Sequence, residues 1–309
     1  MKFFKLLFLV CLLLSFAACD DEDTLVDVIT GNEPVDVTGI TYAEAEDQSL
    51  ATIYTDVRTA LADAEPITIV AEVDHSRSAA NAGFALRPTR VILFGNPALG
   101  TPLMQQNMMA GLDLPQKIVF YQAEDDDVIV AYNSTEYLAS RHGLTDDGEL
   151  TMIGNALSGF VEDNTGENVA NSADVRVDRD AGIVTATSDD DVATVYGRLR
   201  AAVSANTDLT IVAELDHAAN AASVDMELPP SRLIVFGNPR VGTPFMLDEQ
   251  AAGLDLPVKM LVFDNGNGTT IAYNDPAYLA DRFDIDDDLP AIATMRTALQ
   301  NFADAAMDN

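Results

Sequence analysis

The stretch that decides the fold occurs twice. FGNPALGTPLM at residues 94–104 and AGLDLPQK at 110–117 return as FGNPRVGTPFM at 236–246 and AGLDLPVK at 252–259, each at an offset of 142. TIVAEVDH (68–75) recurs as TIVAELDH (210–217) at the same offset, and AYNSTEYLASR (131–141) recurs as AYNDPAYLADR (272–282) at an offset of 141. A period this long exceeds the 20–50 residues of solenoid repeats. The pattern therefore predicts a tandem duplication of one globular domain.

The change of offset means that the second copy is one residue shorter, at the segment where EDDD (124–127) of the first copy aligns with NGNG (265–268) of the second. Because turns tolerate deletions, this segment is predicted to be a hairpin turn. The resulting division of the chain is an N-terminal leader at 1–18, an acidic tether at 19–35, a first repeat at 36–163, a polar linker at 164–180 and a second repeat at 181–309.

Each repeat alternates strand and helix patterns. The first predicts strands at 38–43, 67–74, 90–94, 117–122 and 128–132, and helices at 48–64, after Asn96, at 135–141 and at 149–161, with a loop at 76–83. Adjacent strands flanked by helices indicate an α+β fold with a mainly antiparallel sheet covered on one face.

The motifs E-[VL]-D-H, F-G-N-P-x-x-G-T-P-x-M, G-L-D-L-P-x-K and A-Y-N-x-x-x-Y-L-A-x-R resemble domain-of-unknown-function family 302, and both copies match. The resemblance implies a TATA-binding-protein-like domain of strand, helix, four strands and helix. It also implies pairing of domains, here within one chain as an internal pseudo-dimer, so the protein is expected to be a monomer. No activity is established for that family. One departure is visible, because Arg141-His142 in the first copy becomes Arg282-Phe283 in the second.

The leader has two lysines, an apolar run from Leu6 to Leu14 and then Ala17-Ala18 before Cys19. This pattern predicts a signal peptide, too short to span a membrane, and its end resembles a bacterial lipobox with Cys19 as the lipidated residue. An ordinary secretory signal is the alternative. The acidic run at 20–23 resembles the export signal of surface lipoproteins, or serves only as a solvated tether. The leader predicts a lipid-anchored protein of the bacterial cell envelope, located at the outer membrane, with exposure on the cell surface as a further option.

Charge is the most unusual feature of the composition. Among 309 residues, 50 are Asp or Glu and 17 are Lys or Arg, a net charge of −33 that argues against nucleic-acid binding. Loss of residues 1–18 leaves 15 basic residues and a charge of −35. The surface resembles that of proteins adapted to high salt, where screening makes self-repulsion tolerable. Calcium binding is the alternative, although the chain lacks the EF-hand spacing. Two cysteines exclude a disulfide framework and a cysteine zinc site.

Two sets of candidate binding residues emerge. Capped helix N-termini at Gly95 and Asn96, and at Gly237 and Asn238, have a general anion-binding geometry, although turn and cap requirements explain the same residues. The second set recurs as four polar types in each copy: Glu72, Asp74, His75 and Lys117, matched by Glu214, Asp216, His217 and Lys259. Lys117 and Lys259 are the only lysines after residue 18, and we expect each to pair with the neighbouring Glu72 or Glu214 strand or to contact a ligand.

Three functions are compatible with these residues. The first is a non-catalytic envelope module that binds a small ligand or an envelope protein. The second is metal or haem handling through His75 and His217. The third is an enzyme at the cleft between the repeats, using Glu72, Asp74 and Lys117 with their counterparts. Because no nucleophile motif is present, the sequence favours the first; it identifies no cofactor.

Overall fold

The computed structural model describes residues 37–307. The predicted signal peptide, Cys19 and the acidic tether therefore lie outside the described residues. In the first repeat the elements are β1 (Ile40–Ala45), α1 (Leu50–Asp63), β2 (Thr68–Asp74), α2 (His75–Ala82), β3 (Thr89–Gly95), α3 (Pro97–Gln106), a first 3₁₀ helix (Met108–Leu112), β4 (Gln116–Gln122), β5 (Val128–Asn133), α4 (Thr135–His142) and α5 (Glu149–Thr165).

A two-residue strand, β6 (Ala170–Asn171), lies between the repeats. The second repeat follows the same order: β7 (Ile183–Ser188), α6 (Val192–Ala205), β8 (Thr210–Asp216), α7 (His217–Ala222), β9 (Ser231–Gly237), α8 (Pro239–Asp248), a second 3₁₀ helix (Gln250–Leu254), β10 (Val258–Asp264), β11 (Thr269–Asn274), α9 (Pro276–Arg282) and α10 (Pro290–Met307).

Both sheets have equivalent strand orders, β2-β3-β4-β5-β1-β6 and β8-β9-β10-β11-β7, and all neighbouring strands are antiparallel. The α+β prediction of two similar domains with antiparallel sheets is thereby confirmed. No helix within residues 37–307 is both long enough and apolar enough to span a bilayer.

Each sheet is covered on both faces, which corrects the expectation of one covered face. Side chains of β3 and β4 alternate, as a strand requires. Ile92 and Phe120 join the core formed with α1 and α5. Val91 and Val119 point the other way, into a core shared with second-repeat residues such as Leu233. The two repeats are thus one compact unit, because an apolar face left by either sheet is buried against the other repeat.

A β-bulge at Ile69/Ala71 changes which residues of β2 share a face. Ile69 packs in the core beneath the helices, whereas Ala71 and Val73 pack in the core between the repeats. The simple alternation of the sequence places these three residues on one face and is therefore wrong at this point. The extra residue of a bulge reverses the parity of the rest of the strand, so Glu72 lies on the face of α1. An equivalent bulge occurs at Ile211/Ala213.

The predicted loop at 76–83 is instead helix α2. Asp74 is its N-cap and accepts a hydrogen bond from the Arg77 N–H, while Gly83 ends it in the left-handed conformation at φ 91°. These are ordinary start and stop residues for a helix, and three of the eight residues between them are alanine. Helices α2 and α7 then pack reciprocally, α2 against α8 and α7 against α3 of the other repeat.

Candidate functional site

A buried network of charges lies where the two repeats meet. Asp113 and Asp255 follow the two 3₁₀ helices, and Lys117 and Lys259, four residues later, are the second residues of β4 and β10. Lys117 Nζ donates to Asp255 Oδ1 at 2.6 Å, and Lys259 Nζ donates to the same oxygen at 2.9 Å. Lys259 Nζ is also 3.6 Å from Asp113 Oδ1. The lysines therefore join one repeat to the other.

Two arginines complete the network from the C-terminal ends of α4 and α9. Arg141 donates to Asp113 Oδ2 at 2.7 Å and to Asn274 Oδ1 at 2.8 Å. Arg282 donates to Asp255 Oδ2 at 2.5 Å and to Asn133 Oδ1 at 2.8 Å. Each arginine thus contacts an aspartate of its own repeat and an asparagine of the other.

Tyrosine rings lie against the guanidinium groups. The Arg282 guanidinium is 3.9 Å from the centre of the Tyr137 ring, and that of Arg141 is 5.0 Å from the centre of the Tyr278 ring. The close approach of Tyr137 to the backbone depends on Gly39, which has φ 80° and whose Cβ, if present, would lie 2.4 Å from the ring. Burial against an aromatic face stabilises a guanidinium that has lost water.

Cations outnumber carboxylates in this network. Its carboxylates are those of Asp113 and Asp255, and its cations are the two lysines and two arginines, all buried. Burial alone raises the pKa of Asp255, but Lys117, Lys259 and Arg282 hold it well below its usual range. Burial lowers the pKa of Lys117 to about 7 against the attraction of Asp255. The carboxylates are therefore held ionised by an excess of positive charge.

The two halves of the network differ at one position. His142 Nε2 is 2.8 Å from Asp113 Oδ2, whereas its counterpart Phe283 packs beside Arg282. Both lysines bond to Asp255 rather than one to each aspartate. The difference that the sequence showed between Arg141-His142 and Arg282-Phe283 is thus a difference in which side chains contact each aspartate.

The expected pairing of Lys117 with Glu72 is wrong. Glu72 accepts from Tyr54 Oη at 2.6 Å and from Arg58 Nε at 2.9 Å, both on α1. Glu214 makes the equivalent contacts with Tyr196 at 2.6 Å and Arg200 at 2.9 Å. The bulge explains this outcome, because it turns Glu72 toward the helices and away from the face on which the repeats meet.

Asp74 and Asp216 are helix caps rather than partners of the lysines. Asp74 accepts from the Arg77 N–H at 2.8 Å and lies 3.3 Å from Arg90. Asp216 accepts from the Ala219 N–H at 2.9 Å and lies 3.2 Å from Arg232. The four polar types that recur in each copy are therefore not brought together into one site.

His75 and His217 are buried at the first positions of α2 and α7, and each approaches the 3₁₀ helix of the other repeat. His75 Nε2 is 3.2 Å from the Gly253 carbonyl oxygen, so this nitrogen carries the proton. The imidazole of His217 faces the Gly111 carbonyl in the equivalent way, and this contact opposes the effect of burial on its pKa. Burial lowers the pKa of both imidazoles to about 4.

At the candidate anion sites, the first N–H groups of α3 and α8 are already bonded to the capping asparagines. Asn96 Oδ1 accepts from Ala98 N, and the Asn96 carbonyl accepts from Leu99 N and Gly100 N, all at 3.0 Å. Asn238 makes the same three bonds in α8. Gly95 and Gly237 pack against Pro115 and Pro257. Turn and cap requirements therefore account for these four residues.

Two cavities lie at the edges of the contact between the repeats. The first has a volume of about 400 Å³ and joins α3, β2 and α5 of the first repeat to β8 and α7 of the second. Its walls include Phe94, Leu114 and Leu157 from the first repeat, and His217 from the second. Most of the lining is apolar, with polar groups at a few points, as is usual for sites that bind small molecules.

The second cavity is the counterpart of the first, with the roles of the repeats exchanged. Its volume is about 300 Å³, and it joins α8, β8 and α10 of the second repeat to His75 and Ser78 of the first. Phe236, Leu256 and Leu299 form its apolar walls. Each cavity thus combines the F-G-N-P-x-x-G-T-P segment of one repeat with the histidine of the other.

Each cavity is lined by a buried polar side-chain atom that has no hydrogen-bond partner. These atoms are Gln116 Nε2 in the first cavity and Thr243 Oγ1 in the second. Sequence reasoning missed Gln116 and Thr243. One signal was present, because Gln116 interrupts the otherwise matching AGLDLPQK and AGLDLPVK segments, where Val258 is its counterpart.

Among residues 37–307, two carboxylate groups have the proximity needed to share a cation: Glu44 with Asp125 and Asp127, and Asp286 with Asp287 and Asp288. Neither group contains His75 or His217, and neither lines either of the two cavities. A metal or haem site around these histidines gains no support from the described residues.

The sequence model described as "Domain of unknown function DUF302" matches residues 42–162 and 184–306. Fluoride-specific ion channel FluC 1 of Brucella suis is 40% identical over 104 residues, 33% of this chain and 41% of that protein. FluC 2 of Brucella melitensis is 40% identical over 104 residues and 38% of its length. The chain spans about two fifths of the length of these curated relatives. The crystal structure of uncharacterized conserved protein DUF302 from Bacillus stearothermophilus has 16% identity, a TM-score of 0.37, and coverage of 40% of this chain and 98% of that one.

Proposed function

This chain belongs to the family described as Domain of unknown function DUF302, in two tandem copies, and on that premise we propose that it is a non-catalytic protein that binds small molecules in its two inter-repeat cavities. One observation carries the proposal: each cavity needs both copies, because one supplies the helix and apolar walls and the other supplies a buried histidine. Pairing of the repeats creates the sites, and the same pairing within one chain supports a monomer.

The surroundings of the candidate acids and bases support binding rather than catalysis. Glu72 and Glu214 are engaged by arginine and tyrosine, and Lys117 and Lys259 are bonded to Asp255 inside the network. Neither lysine lines either cavity. A general acid or base must reach the reacting group. The segment that matches the fluoride channels, 104 residues, is shorter than either match to the domain family. It gives no support for channel activity.

Two glycines allow the proposal to be tested. Gly100 and Gly242 line the first and second cavities, and a Cβ at either would make only ordinary contacts, at 3.5 Å with Leu114 and 3.7 Å with Leu256. Gly100→Phe and Gly242→Phe should each fill one cavity. Neither substitution disfavours the helix, because phenylalanine has a higher helix propensity than glycine. Binding is measured by fluorescence titration with N-phenyl-1-naphthylamine, a neutral apolar dye. In each variant we expect the dye affinity of one of the two sites to fall by at least about tenfold, and in the double variant the affinity of both sites.

The matched controls are Gly100→Ala and Gly242→Ala, which should keep both components because a methyl group leaves most of each cavity open. Circular dichroism and thermal melting establish that every variant is folded. Dye binding that is unchanged in the folded double variant, or absent from the parent protein, would overturn the two-cavity proposal.

We also propose that the protein is a lipoprotein of the bacterial cell envelope, anchored through Cys19 at the outer membrane, with an acidic surface suited to high salt. The support is the leader sequence, the cysteine after Ala17-Ala18 and the charge of −33. A lipid chain would hold both cavities at the membrane surface, where an apolar ligand or an envelope protein is available.

The anchor is tested by metabolic labelling with a clickable fatty acid in cells that express the full chain. We expect the parent protein to be labelled and to sediment with membranes, and Cys19→Ser to lose the label. Cys11→Ser is the matched control, since this cysteine lies within the predicted leader. Equal labelling of the parent and Cys19→Ser would contradict lipidation at this residue.

A further inference from the structure

We propose, on the basis of the binding function above, that the first cavity selects a neutral, mainly apolar molecule carrying a hydrogen-bond acceptor such as a carbonyl, and that Gln116 determines this preference. The second cavity is expected to lack that selectivity. The proposal rests on one buried side chain, its counterpart in the other repeat and the charges around the first cavity.

Gln116 lies at the start of β4, directly opposite Phe94 of β3, so both side chains point to the same face of the sheet. Both line the first cavity. Gln116 is 93% buried, with 7% of its surface exposed, and its Nε2 has no hydrogen-bond partner. An amide N–H buried without an acceptor is unfavourable. A ligand acceptor beside it would satisfy this group, and an apolar ligand would not.

His217 lines the same cavity from the second repeat. Its side chain is buried and faces the Gly111 carbonyl, as His75 faces the Gly253 carbonyl in the other repeat. The imidazole stays neutral over the physiological range because burial lowers its pKa to about 4. A neutral imidazole adds no positive charge to the cavity.

The charges around the first cavity oppose an anion. Glu214 and Asp216 line it, and their charges are already balanced by Arg200 and Arg232. The N–H groups at the start of α3 are all bonded to Asn96. The chain as a whole carries −33. A carboxylate would therefore lose water without gaining a cation, whereas a carbonyl oxygen needs only a donor.

The second cavity supplies an internal comparison. Val258 takes the place of Gln116 there, so the buried amide is replaced by an apolar side chain. The unpartnered polar group of the second cavity is the smaller Thr243 hydroxyl. The two cavities therefore share their apolar framework but differ in the amide N–H that would recognise an acceptor.

The test uses three naphthalenes of similar size: 2-acetylnaphthalene, the hydrocarbon 2-isopropenylnaphthalene, in which CH₂ replaces the carbonyl oxygen, and the anion 2-naphthoate. Binding is measured by displacement of N-phenyl-1-naphthylamine from the full soluble chain. Gly242→Phe leaves the first cavity open, and Gly100→Phe leaves the second. We expect the open first cavity to prefer the ketone to the hydrocarbon by about tenfold, and the open second cavity to prefer it by less than about threefold.

Gln116→Val installs the second-repeat residue and should abolish the preference in the first cavity while retaining the hydrocarbon. Val258→Gln in Gly100→Phe should transfer a preference for the ketone to the second cavity, which keeps the test decisive if Gln116→Val does not fold. Equal affinities for ketone and hydrocarbon in the first cavity, or tighter binding of 2-naphthoate than of the ketone, would overturn this inference alone. Failure of every probe, including the dye, would instead overturn the binding function.

Discussion

Asp255→Asn is expected to lower the free energy of unfolding by about 3–5 kcal/mol, because it leaves buried cations without their shared carboxylate. Asp255 is bonded to Lys117, Lys259 and Arg282, from both repeats, and asparagine keeps the shape of the side chain while removing its charge. The measurement is urea or guanidinium unfolding at pH 7, followed by circular dichroism. We expect the variant to unfold in one cooperative transition, since Asp255 connects the two halves of one unit.

Lys117→Met is expected to cost much less than Asp255→Asn, because the network has two carboxylates and four lysine or arginine cations. Removing one cation reduces an excess, whereas removing an anion increases it. Combining the two substitutions should recover part of the stability lost in Asp255→Asn.

The control for buried charge is Asp190→Asn. Asp190 pairs with Arg198 at 2.7 Å, but about a third of each side chain is exposed, so the expected cost is below about 1 kcal/mol. If Lys117→Met costs as much as Asp255→Asn, the excess of cations is not what governs the network, and the ranking drawn from the geometry fails.

How far the sequence predicted this structure is clearest in strand β2. Its existence followed from the run of β-branched residues at 67–74, and the recurrence at 210–217 predicted its counterpart β8. The orientation of Glu72 did not follow, because a bulge at Ile69/Ala71 changes parity without interrupting the hydrophobic run. The predicted ion pair to Lys117 failed for this reason.

The lysines show a second limit. Their presence at two equivalent positions correctly singled them out as buried and partnered, since the remainder of the chain after residue 18 lacks lysine. Their partner could not be identified from one repeat, because Lys117 bonds to Asp255 of the other copy. Within one repeat, the segment AGLDLPQK indicates only that Asp113 lies in a turn, and not that it contacts a lysine.

The cavities show the same limit at a larger scale. The F-G-N-P-x-x-G-T-P segment and the E-[VL]-D-H segment were both recognised as repeated, yet within one copy neither forms a site. The cavities form because each repeat packs a helix against the other repeat, α2 on α8 and α7 on α3. The resemblance to a family that pairs its domains implied such an interface, but not which segments would meet across it.

Acidification from about pH 6.5 to pH 4 is expected to lower stability through His75 and His217. Both imidazoles are buried, and burial lowers the pKa of each from 6.5 to about 4. Within that range the unfolded chain binds a proton at each histidine and the folded chain does not, so the free energy of unfolding falls as pH falls. Each histidine contributes up to about 3 kcal/mol across the window, with a slope of at most about 1.4 kcal/mol per pH unit.

The measurement is denaturant unfolding at intervals between pH 7.5 and pH 4.5, at fixed high salt so that surface repulsion changes little. His75→Phe and His217→Phe keep a ring but remove the titration, so each should flatten the slope, and the double variant should remove most of it below about pH 6.5. Asp113 and Asp255 do not compete in this window, because their pKa values lie well below 3.8 and their contribution is lost only in stronger acid. Burial lowers the pKa of Lys117 to about 7, which adds to the slope at the upper end of the window, and burial raises the pKa of Glu249, which contributes with the opposite sign. Both groups are common to all the variants and cancel in the comparison. A double variant that retains the full slope of the parent protein would show that the histidines are not the groups protonated on unfolding, and that the acid sensitivity lies elsewhere in the chain.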